Sequence, residues 1–74
     1  MFLGIYVERK KKTYALEVEE RMVEAAALQA MGILGLRAHR IFVFEHPFAY
    51  AKYSPFQFFA TCDEFLEAMR NLDE

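Results

Sequence analysis

Few side chains in this sequence are equipped for covalent or metal chemistry, and their spacing keeps them apart. His39 and His46 are the two histidines, and Cys62 is the one cysteine. On a single regular strand these histidines have opposite parity and point to opposite faces. No C-x-x-C or H-x-x-x-H spacing brings ligands together, so no metal site is expected. Cys62 falls in the first turn of a helix predicted below, where a thiolate is favoured, but the neighbouring Asp63 and Glu64 oppose that charge. Nothing places a histidine beside it, and a small buried or half-buried thiol is the expectation. The acidic pairs Glu19-Glu20 and Asp63-Glu64 sit at helix starts, where the helix dipole accounts for them. The G-I-L-G run from Gly32 to Gly35 is not a phosphate-binding loop. The sequence therefore predicts no enzyme: no catalytic residue, no cofactor and no metal.

Binding chemistry is better represented. Arg9, Lys10, Lys11 and Lys12 cluster at one turn, Arg37 and Arg40 flank His39, and Lys52 lies between Tyr50 and Tyr53. A sheet that stacks bases on aromatic rings and tracks phosphates with a basic loop needs such residues. These seven cations are the candidate contacts of a single-stranded nucleic-acid binder, the second of two functional expectations. Against it stand a formal charge of −2, the lack of an RNP-like or GXXG motif, and the use of lysines to keep hairpin tips soluble.

The first expectation comes from the aromatics. The stretch from Arg40 to Phe59 holds eight of the twelve aromatic residues. Its Phe42, Phe44, Phe48, Tyr50, Tyr53, Phe56 and Phe58 are the candidate interface. Of the 74 residues 55% are hydrophobic, and a chain this small has too much surface for its volume to enclose them all. Two helices cover one side of a sheet, which leaves rings on the other side in want of a cover. A homodimer or higher oligomer is expected, or docking on a larger protein partner that the module regulates or inhibits.

The elements that position these groups follow from periodicity. Phe2 to Val7 reads as an interior strand, apolar on both faces. The run Glu8 to Lys12 reads as a solvated turn of open type. Thr13 to Glu20 alternates with period two as a strand, with a helix capped by Thr13 as the rival; the strand is preferred because it pairs with the first. A helix is predicted over about 20 to 31, with Met22, Val23, Ala26, Ala27, Ala30 and Met31 on its apolar face. Gly32 is its expected stop, and Gly35 a second turn. Arg37 to His46 reads as the central strand, and Phe48 to Tyr53 as the next one after Pro47. Phe56 to Ala60 reads as a short extra strand or as a helix begun at Ser54-Pro55. A last helix over about 62 to 72 carries the capping signature T-x-x-E at Thr61 and Glu64.

The resulting order, β-β-α-β-β-α, predicts a single small two-layer α+β domain over residues 1 to 74. It has an antiparallel sheet of about four strands and two helices on one face. The apolar opening FLGIYV has no basic leader and is followed at once by charge, so no signal peptide is expected. No stretch is long enough to span a bilayer. With a lone cysteine that cannot form an internal disulfide, a reducing, cytoplasmic setting without membrane contact is expected.

Overall fold

The computed structural model describes residues 1–35 and 40–73. Arg37 and His39, named above, lie outside the described residues, as does the side chain of Phe48. The chain folds as β1 (Phe2–Val7), β2 (Lys12–Glu17), α1 (Val23–Leu34), β3 (Arg40–Phe44), β4 (Phe56–Phe59) and α2 (Cys62–Arg70). This is the α+β domain and the β-β-α-β-β-α order that the periodicity predicts. The sheet order is β3-β1-β2-β4.

β1 is interior, as its two apolar faces require. It pairs antiparallel with β2 and β3, so that Ile5 faces Tyr14 on one side and Ile41 on the other. The charged run after β1 closes in one 3₁₀ turn, Glu8–Lys10, with Lys11 in the left-handed region (φ 50°). The N–H of Lys11 donates to the Glu8 carbonyl at 3.1 Å.

Three expectations are corrected. The sheet is mixed rather than antiparallel throughout, because β4 runs parallel to β2. The central strand expected over Arg37 to His46 is an edge strand, observed over Arg40–Phe44. Finally, Pro47–Tyr53 is not a strand: it forms 3₁₀ turns interrupted at Tyr50, and the fourth strand is Phe56–Phe59. One cause underlies all three. β3 and β4 run in the same direction on opposite edges of the sheet, so the chain between them must cross from the end of one strand to the start of the other. Residues 45–55 make that crossing over the face the helices leave free.

The helix-covered face holds the core. Leu3, Ile5 and Val7 of β1 and Tyr14 and Leu16 of β2 pack on Ala26, Ala30 and Leu34 of α1. Phe65, Leu66 and Met69 of α2 and the following Leu72 complete the cluster. Burying a side chain such as Phe65 contributes about 1.5–3 kcal/mol. α1 buries a narrow stripe at i, i+4 and i+8. Met22 and Met31, expected on its apolar face, are about half exposed. The helix runs through Gly32 and ends at Gly35, whose φ of 68° suits a residue without a Cβ. It starts from a 3₁₀ turn at Glu20–Met22. α2 starts at the expected cap, with the Glu64 N–H donating to Thr61 Oγ1 at 3.2 Å.

Candidate functional site: an open sheet edge and a basic end

On the second face the chain supplies its own cover. Side chains of Phe2, Tyr6, Phe42, Phe44, Phe56 and Phe58 share this face by register, with Gly4 among them. Residues 45–55 lay Tyr50 and Tyr53 across it. The Phe42 ring centroid is 5.1 Å from that of Tyr50 and 4.9 Å from that of Tyr53. Tyr53 also lies 5.2 Å from Tyr6, and Phe44 lies 5.4 Å from Phe56. The crossing is pinned by Thr13, which is fully buried. Its hydroxyl donates to the Tyr53 carbonyl at 2.6 Å and its N–H to the Pro55 carbonyl at 2.9 Å. The close approach of rings to β1 depends on Gly4, where a Cβ would come within 2.9 Å of the Phe44 ring.

These contacts redistribute the candidate interface. Phe44 is 3% exposed, buried by its own chain and unavailable to a partner. Phe42, Tyr50, Tyr53 and Phe56 are half-buried in the ring cluster. Phe58 alone of the described candidates is open, at 50%, beside Phe2 and Glu17. The sheet has a third cover besides the two helices, the crossing segment, which is hard to foresee because Pro47 and the alternation around it resemble a strand.

Open apolar surface also lies on the other face, at the β3 edge. Ile41 and Val43 share the helix face with Leu3 and Ile5, yet they are 37% and 40% exposed. The flank of α1 that carries Ala25 and Gln29 lines a cleft with Cys62 at the start of α2. Helix geometry turns Met31 and Leu28 away from that side, where they too are exposed. None of these four residues is among the interface candidates above, because the spacing of Ile41 and Val43 alone resembles that of a covered strand.

The described basic candidates converge on one end of the sheet. The turn brings Arg9, Lys10 and Lys11 together, Lys12 faces Val7 at the last β1–β2 pair, and Arg40 faces Tyr6. Lys52 joins them through its neighbour Tyr53, which is held by Thr13. Several are engaged there. Arg9 donates to the Leu72 carbonyl, and Lys12 Nζ donates to Gln57 Oε1 at 2.5 Å and lies 4.8 Å from the Tyr14 ring centroid. Lys52 Nζ lies 5.1 Å from the Tyr53 ring centroid. Burial raises the Tyr14 phenol above its ordinary value, and the Arg9 charge opposes that in part.

The far end of the sheet is acidic. Glu17, Glu19, Glu20 and Glu45 line one cleft with Met1 and Val18. The molecule thus carries opposite charge at the two ends of its strands. Cys62 is exposed. Among the described residues no three His, Cys, Asp or Glu side chains converge where a metal could sit, and no helix is long and apolar enough to cross a membrane. No protein-family model, curated protein or solved structure matches this chain.

Proposed function

We propose that this chain works by binding protein rather than by catalysis, as a small self-associating interaction module in a reducing, cytoplasmic setting. A regulatory role on a larger partner fits that character. The observation that carries the reading is the outer edge of β3, where Ile41 and Val43 stay exposed on the face that holds the core. Soluble proteins usually blunt such edges with charge, proline or a cover. An apolar edge left open is a template for another chain. Light scattering over a wide micromolar range tests it: a mass that rises with concentration supports self-association, and a constant monomer mass rejects it.

A second reading rests on the gathering of Arg9 to Lys12, Arg40 and Lys52 at one end. That end would bind a single-stranded nucleic acid through its phosphates. The rings nearby pack against one another, so base stacking would require the crossing segment to open. Titration with single-stranded RNA and DNA at two salt concentrations tests this reading. A binder through phosphates loses affinity as salt rises.

A further inference from the structure

Backbone pairing determines what the β3 edge presents. The Val18 N–H donates to the Met1 carbonyl at 2.9 Å, so Met1 and the odd-numbered residues of β1 bond toward β2. Alternation then directs Phe2, Gly4 and Tyr6 toward β3, where they meet Phe44, Phe42 and Arg40. The amides and carbonyls of Ile41 and Val43 therefore point outward, and among the described residues no strand meets them. The same two residues carry the half-exposed apolar side chains. The opposite edge differs: on the helix face β4 carries Gln57, held by Lys12.

Resting on the reading of the chain as an interaction module, we propose that its partner is a second copy, joined antiparallel along β3. The two sheets become one of eight strands, with Ile41 of each copy hydrogen-bonded to Val43 of the other across a two-fold axis at Phe42. This register uses both outward-facing residues of both copies, and it brings their branched side chains together on the helix face. A two-fold contact of this kind closes on itself and exposes no further edge of β3.

Charge favours the second copy over a foreign strand. β3 runs from the basic end, at Arg40, to the acidic end, just before Glu45. Antiparallel pairing lays the basic end of each copy beside the acidic end of the other, with Arg40 facing Phe44 of the second copy; Glu45 is one residue on and of opposite parity, so the attraction is between the charged ends rather than through a direct ion pair. Matching of this sort sets orientation and register at an interface.

The test is sedimentation velocity over a concentration series on the whole chain, with circular dichroism as the check on folding. Ile41→Lys with Val43→Lys places like charges across the joint and should leave a folded monomer, since both side chains are already partly in water. Arg40→Glu or Glu45→Lys alone should weaken association, more at low salt than at high, and the two together should recover it in part. A dimer that survives the paired lysines, or a charge-swapped variant weaker than both single variants, overturns the β3 joint and leaves the interaction-module reading standing. A wild type that stays monomeric overturns the joint and self-association together. Growth in mass only on addition of single-stranded RNA overturns the joint in favour of the basic end.

Discussion

Thr13 is the residue on which the second face depends. Its side chain is buried with one acceptor, the Tyr53 carbonyl. Thr13→Val keeps the shape but leaves that carbonyl without its partner, which costs about 1–3 kcal/mol. The unfolding midpoint in urea should fall accordingly, with hydrogen-exchange protection lost first between residues 45 and 55. Gly4→Ala acts on the same face by overpacking: its Cβ meets Phe44 at 2.9 Å and Phe42 at 3.1 Å. A loss of about 1–3 kcal/mol is expected by the same measurement. Tyr14 adds a pH dependence. Its folded-state pKa is raised by burial, so the neutral phenol is the form that folding favours. Its contribution is intact below the unfolded value near 10 and declines as pH rises through the higher folded value. Urea midpoints measured at neutral and strongly alkaline pH should therefore fall less for Tyr14→Phe than for the wild type.

At the scale of the element, α2 is the clearest case of local sequence determining local structure. Thr61 accepts from the Glu64 N–H, and its hydroxyl donates to the Glu64 carboxylate at 3.2 Å. The carboxylate meets the side chain of the cap rather than its backbone amide, so the capping box is only half made. Thr61→Ala should cost about 0.5–2 kcal/mol, and Glu64→Ala less, because its contact is exposed. Thermal unfolding of the two variants checks both the loss and its order. The crossing segment illustrates the reverse. Tyr50 and Tyr53 stand in a run that reads as a strand, yet strand pairing there would leave β4 out of reach of its edge.

For the whole molecule the separation of charge is the governing feature. A formal charge of −2 conceals a basic end and an acidic end, and association between ends weakens as salt screens them. Reversing Lys10, Lys11 and Lys12 to Glu separates the two readings. A nucleic-acid binder should lose affinity, and its salt slope should flatten in proportion to the number of phosphates it no longer neutralises. A β3 joint should persist, weakened by less than Arg40→Glu weakens it, because these lysines lie at the turn rather than on β3. Fluorescence anisotropy with single-stranded RNA and sedimentation velocity on the same variant read the two outcomes.

Local signals determined β1 and both helices, because those signals reside in residues only a few positions apart, whereas β2 was open to a helix by period alone and was decided by its pairing with β1. The Thr61 cap and the apolar stripe from Phe65 to Leu72 were legible for the same reason. The charged turn and its cations were legible as a cluster, but their union with Arg40 and Lys52 was not. That union depends on the pairing of Tyr6 with Arg40 and the bond from Thr13 to Tyr53. Tertiary structure alone decided that β3 is an edge, that β4 runs parallel to β2, and that residues 45–55 cross the aromatic face. Strand order and direction arise from contacts between residues far apart in the chain, which leave no period in the sequence. For that reason the open surface lies at Ile41 and Val43, while Phe44, an equally apolar neighbour on the same strand, is sealed beneath its own chain.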